Sequence, residues 1–294
     1  MNTNTFLWLF RREIWENRAI WLLPAIAGGV LLFICLFGHI DIDDLPRHLS
    51  SEQLRVLGPL LMGGIGAGLF VIMSVYTSWY LLDCLYADRK DRSVLFWKSL
   101  PVSDTETVLS KLAMALLVIP AIYLLAADIT ALGATFILSV RGGSTLTFAL
   151  WNPRDWLQLQ MLGVYAILTS ALWFLPVSGW FLFVSSWAKR AVTLWALLLP
   201  LAACYVEKQL FNTRLLWQAL TYHLTNYMPV AFRGEAGFTR HTAFENQTLL
   251  TPSSIFEFID PAAFCGSAEM WTGVIVGAAF VAGAVYMRHR HAEG

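Results

Sequence analysis

The chain has 294 residues, 57% of them hydrophobic and only 14% charged, with 20 Lys and Arg balanced by 20 Asp and Glu. Soluble domains carry about 25% charge, so this composition belongs to a polytopic membrane protein, in keeping with a mean hydropathy of +0.59. The zero net charge leaves no basic surplus for a nucleic-acid partner.

Cys35, Cys84, Cys204 and Cys265 show no CxxC spacing and no His at zinc intervals, so neither a disulfide framework nor a metal site is signalled. Cys204 and Cys265 both fall on the predicted outer side, where a bridge is chemically possible but not specified.

Residues 6–18 set Phe6, Leu9, Phe10 and Ile14 on one helical face and Arg11, Arg12, Glu13, Glu16 and Arg18 on the other. That pattern predicts an interfacial helix along the membrane surface. Acidic residues in its charged part and the lack of an A-x-A-like site argue against a cleaved signal peptide. Residues 19–37 form a first span, close to the roughly 20 residues that cross about 30 Å of hydrocarbon. An acidic loop with Asp41, Asp43 and Asp44 follows.

The second span, 57–80, contains Gly63, Gly64, Gly66 and Gly68. Gly64-x-x-x-Gly68 has the spacing that lets two helices approach closely. No Gly-Lys-Ser/Thr follows, so this is not a phosphate loop.

A charged interruption comes next, Asp88-Arg89-Lys90-Asp91-Arg92. One central charge already costs roughly 2.5 to 3.5 kcal/mol in hydrocarbon, so the cluster must sit in water. Val94 and Trp97 are three apart and Phe96 and Leu100 four apart, which predicts a short amphipathic helix over 88–101. Pro101 stops it, and Ser103 with Glu106 forms a capping box for the next helix. Two readings fit the short helix: an interfacial segment resting its aromatic side among headgroups, or a knob that docks in a groove of a soluble partner.

A third span, 112–140, is bent or loosened at Pro120 and contains Asp128. Intramembrane acids are functional candidates, which makes Asp128 a candidate for the transport path, although it also lies near the outer interface by helix rise. A polar outer turn is expected from Arg141 to Trp156. The fourth span, 157–187, is long enough to be kinked, with Pro176 the obvious place. Lys189-Arg190 makes a tight turn into a fifth span, 191–206. Residues 207–269 mix aromatic and charged groups, the pattern of an outer re-entrant region with short helices. The last span, 270–287, repeats the small-residue spacing with Gly273 and Gly277, and Arg288-His289-Arg290-His291 closes it as a positive anchor.

In a six-span all-α arrangement Arg11, Arg12, Arg18, Arg89, Lys90, Arg92, Lys98, Lys111, Lys189, Arg190, Arg288 and Arg290 fall on one side. The positive-inside rule makes that side cytoplasmic, with both termini inside.

The run from Tyr86 to Ser103, read as D/ERxDRSxLFWKSLPVSD, together with Arg12 to Arg18, resembles the permease subunits of bacterial ATP-binding cassette exporters of the second exporter class. The resemblance implies a single transmembrane domain over 1–294 in the bacterial cytoplasmic (inner) membrane, with no cofactor of its own. The ATPase would be a separate subunit that binds ATP and Mg. It also implies that Asp88, Arg89, Arg92, Phe96, Trp97, Lys98 and Pro101 couple to that ATPase. A second permease copy or a homologous permease would complete the path, with Gly64, Gly68, Gly273 and Gly277 as the dimer face or as packing within one subunit.

The chain lacks Gly-x-x-x-x-Gly-Lys-Ser/Thr, His-Glu-x-x-His and Gly-x-Ser-x-Gly, so nucleotide hydrolysis and the common intramembrane chemistries are not expected of it. The rival expectation is a membrane scaffold or sensor that docks a soluble partner without moving cargo.

Overall fold

Helix follows the apolar runs almost everywhere in a computed structural model that describes residues 3–38, 51–90, 103–232 and 259–290. The helices are α1 (Thr3–Glu16), α2 (Ala19–Phe37), α3 (Ser51–Lys90), α4 (Asp104–Ala113), α5 (Ile119–Leu150), α6 (Pro153–Trp173), α7 (Leu175–Trp187), α8 (Val192–Phe211), α9 (Leu215–Thr225), α10 (Tyr227–Ala231), α11 (Pro261–Gly266) and α12 (Ala268–Arg290). No strand occurs among the described residues, only an isolated antiparallel bridge between Phe232 and Ile259. Among the described residues five stretches are long and apolar enough to cross a membrane, and the bent α6–α7 pair makes a sixth when taken as one span. This is an all-helical, multi-pass membrane protein.

Local chemistry accounts for the breaks. The Ser103 side chain accepts from the Glu106 N–H while the Glu106 carboxylate accepts from the Ser103 N–H, so the capping box starts α4. A π turn, Met114–Val118, joins α4 to α5 immediately before Pro120. Proline lacks an N–H and crowds the carbonyl four residues back, and the wider turn makes room for it. Pro176 lies at the start of α7, and the chain bends by 57° at Phe174 between α6 and α7. Ala191 takes the left-handed conformation (φ 51°) at the turn between α7 and α8.

Several boundaries differ from the sequence expectation. The second span does not end at Tyr80: α3 continues to Lys90 as one 40-residue helix. No glycine or proline interrupts 81–90, and Leu81, Leu82, Cys84 and Leu85 are buried, so packing carries the helix into the charged stretch. Asp88 and Arg89 are therefore the last turn of α3 and do not begin a separate element. The polar turn expected over 141–156 shrinks to Trp151-Asn152, because α5 runs on to Leu150. Asn152 then caps α6, accepting from the Arg154 N–H at 3.1 Å. The fifth span extends to Phe211 and the last covers Ala268–Arg290.

The helices pack around α3, α5, α7 and α12, with α7 lying along α12 and α2 against α5. Leu69, Tyr80, Met114, Ile119, Tyr123 and Leu182 form the buried centre. A second cluster of Trp173, Tyr227, Phe264 and Met270 anchors α10 and α11 against the α6–α7 bend, so the described part of 207–269 does have short helices of its own. The Trp173 indole donates to the His223 carbonyl there at 2.7 Å. Large apolar side chains such as Phe33, Val75, Phe136 and Ile275 stay exposed on the outer faces, as a lipid-facing surface requires.

Candidate functional site

Leu9 and Glu13 are four residues apart on α1 and therefore share a face. Both are buried, Glu13 to 1% exposure, while Trp8 and Trp15 point outward. This corrects the sequence expectation that Glu13 belongs to the polar face. The carboxylate turns inward because a cation is waiting for it. Its Oε1 accepts from Lys111 Nζ at 2.8 Å and from Arg12 Nη2 at 2.8 Å, and its Oε2 accepts from the Tyr80 hydroxyl at 2.9 Å and from Asn17 at 3.3 Å.

The chain of charges continues. Lys111 also reaches Asp88 Oδ1 at 3.4 Å, and Arg288 Nη1 donates to Asp88 Oδ2 at 3.1 Å. Arg288 Nε donates to Asp104 Oδ1 at 2.9 Å, and His289 lies 3.5 Å from the other Asp104 oxygen. Glu13, Asp88 and Asp104 thus meet Arg12, Lys111 and Arg288, three acids against three bases, and the half-exposed Glu16 adds a further carboxylate 3.5 Å from Arg12 Nε at the rim. Balanced charge and shared hydrogen bonds are the conditions under which ions are tolerated in a dry interior. Arg288, expected as a solvated anchor, is only 8% exposed.

Burial pushes the Glu13 carboxyl up, but the Lys111 ammonium and the Arg12 guanidinium outweigh it and hold the group below its ordinary value of 4.5. A carboxylate depressed in the folded state contributes stability that is present above the unfolded value and lost as pH falls through the folded one. Thermal unfolding in detergent, followed by tryptophan fluorescence, should show little pH dependence from this group above about pH 4.5 and a falling midpoint below it. Glu13→Gln should flatten the acid limb.

The cluster joins α1, α3, α4 and α12, and it brackets one segment. Asp88 lies just before residues 91–102 and Asp104 just after them, so both approaches to that segment are fastened to the same ions. Of the residues expected to couple to a partner, Asp88 and Arg89 are thus built into the bundle. Arg89 Nη2 donates to the Ser185 and Ala188 carbonyls at 2.6 and 2.8 Å, closing the end of α7. Arg92, Phe96, Trp97, Lys98 and Pro101 lie outside the described residues.

The two glycine pairs prove unlike. A Cβ on Gly277 would meet the Leu175 backbone at 2.7 Å, and one on Gly179 would meet the Gly277 carbonyl oxygen at 2.7 Å. Gly273 is filled by the His223 ring. Gly273 and Gly277 are therefore used inside the chain, against α7 and α9. A Cβ on Gly64 or Gly68 would meet nothing within 4 Å. Asp128 accepts from the Gln160 amide, which ties α5 to α6. At the other end, Arg141 donates to the Cys35 and Gly38 carbonyls at 2.6 and 3.1 Å and so closes α2 instead of lying in a turn. All four cysteines are unpaired.

Sequence reasoning missed the cluster because its partners are far apart in the chain. The available signal was an acid four residues from Leu9 in the apolar stripe of α1. No protein-family model matches the chain, and neither curated proteins nor solved structures give a match.

Proposed function

We propose that the chain is the membrane-spanning permease subunit of an ATP-driven exporter in a bacterial cytoplasmic membrane, with both termini inside. It hydrolyses nothing itself. A separate ATP-binding cassette ATPase, holding ATP and Mg, docks on the 91–102 segment, and a second permease copy completes the cargo path. The observation that supports this reading most is the ion cluster. A displacement of 91–102 acts on Asp88 and Asp104, and through Arg288 and Lys111 on α12 and α1. A partner that pulls on the segment would therefore move several helices as one body, which a transporter needs and a passive anchor does not. The resemblance of Tyr86 to Ser103 to such permeases adds to it, and the open Gly64 and Gly68 face supplies a seat for the second copy.

The test is Trp97→Ala in the chain co-expressed with ATP-binding cassette subunits of the same genome, the parent chain first selecting the one that it binds. Membrane insertion should be unchanged, while co-purification and stimulation of ATP hydrolysis fall at least tenfold, about 1.4 kcal/mol or more of docking energy. Unchanged stimulation would overturn the docking role and favour the headgroup reading of 88–101.

A further inference from the structure

We propose that the pocket lined by Tyr86, Arg89, Lys90 and Lys189 is a binding site for the phosphate-bearing headgroup of an anionic phospholipid. The pocket has a volume of about 200 Å³ and opens where the last turn of α3 meets the turn between α7 and α8. Three cations line it, with no Asp or Glu among its described lining residues. The nearby acids of the ion cluster are engaged elsewhere, since Glu13 holds Lys111, and Asp88 and Asp104 hold Arg288. The ion cluster's acids are thus paired with its own bases, while the described lining of the pocket is purely cationic. An anion placed there removes the mutual repulsion of the three cations.

The site is partly preorganised. The two carbonyl bonds from Arg89 fix its guanidinium, and the Leu85 and Tyr86 N–H groups both donate to Ser185 Oγ, at 3.2 and 3.1 Å, which locks α3 to α7. Lys90 and Lys189 are exposed and carry rotatable ammonium donors that suit a phosphate as point charges.

Two features favour a lipid over a free anion. Trp187 and Trp195 lie beside the same turn with ring centroids 5.9 Å apart and planes tilted by 55°, and such aromatic residues gather at headgroup depth. From that turn α8 carries Leu194, Leu197, Leu198 and Leu201 as an exposed stripe with helical spacing, a surface along which acyl chains can lie. Basic pockets between helices at the inner boundary of a membrane are suited to anionic headgroups.

The experiment uses the purified full chain in neutral detergent, titrated with phosphatidylglycerol, with phosphatidylcholine of the same chains and with inorganic phosphate, and read by native mass spectrometry and thermal shift. Phosphatidylglycerol should bind at least tenfold more tightly than phosphatidylcholine. Lys90→Gln with Lys189→Gln should weaken it by roughly thirtyfold, the effect of two lost surface cations. Neither lysine is buried, so the fold should persist, as an unchanged midpoint without lipid would show. Lys208→Gln, at the far end of α8, should change nothing. Equal binding of the two lipids, or equal loss in Lys208→Gln, would overturn the site. Displacement of phosphatidylglycerol by millimolar inorganic phosphate would overturn the lipid as its occupant.

Discussion

Lys111→Met is expected to destabilise the bundle by about 3–5 kcal/mol, the usual effect of removing one member of a buried ion pair. Lys111 is 2% exposed and touches both Glu13 and Asp88. Without it, Asp88 keeps Arg288, but Glu13 keeps only Arg12 and two neutral donors at 1% exposure. The carboxylate must then take up a proton or draw in water, and either response loosens α1 from α3 and α4. Glu13→Gln combined with Lys111→Met should restore most of the loss, to within about 1 kcal/mol of the parent, because a neutral pair leaves no orphaned charge. The amide oxygen of the new side chain can still accept from the Tyr80 hydroxyl. Urea or thermal unfolding of the two singles and the double in detergent completes the cycle. Additive losses would mean that Glu13 and Lys111 are not energetically coupled. If the exporter reading holds, the double variant should also fold and bind the ATPase while transmitting its motion poorly, since α1 no longer shares the ions that bracket 91–102.

The spans were legible because hydrocarbon imposes length and polarity locally, and the breaks at Pro120, Pro176 and Ser103 were legible because proline and caps act through adjacent backbone. What escaped was set by partners distant in sequence. Glu13 looked solvated because acids usually are, and only Lys111, 98 residues later, reverses that preference. Arg141 looked like a loop residue because it follows an apolar run and precedes two glycines, yet the free carbonyls at the end of α2 recruit it. Arg89 was expected to face a partner, and the carbonyls of α7 hold it instead. The ionic part of the candidate site was thus present as residues without its pairing, since charge spacing within one helix carries no information about which other helix completes it.

The same limit applies to the glycines, and here the expected result separates two pairs with identical spacing. Gly277→Leu should destabilise the chain by about 3 kcal/mol or more, at the upper end of overpacking effects. The atoms facing it at 2.7 and 2.8 Å include the Leu175 carbonyl carbon and oxygen, which cannot rotate away as a side chain would. α7 and α12 must part, and the α6–α7 bend goes with them. On α3 the geometry is opposite. Ile65, Leu69, Tyr76 and Tyr80 form the buried stripe, while Gly64, Gly68, Val71, Val75 and Trp79 form an outward one at intervals of four, three, four and four residues. That outward stripe has the spacing of a helix–helix seam. Gly64→Leu with Gly68→Leu should therefore leave the unfolding midpoint of the isolated chain unchanged or slightly raised, since glycine is a poor helix former. Self-association, measured by energy transfer between labelled copies in bilayers, should fall at least tenfold, about 1.4 kcal/mol. If association persists with two added leucine side chains on that face, the second copy does not sit on α3. If Gly277→Leu unfolds no more readily than the parent, the close crossing of α7 and α12 is not what holds the last span in place.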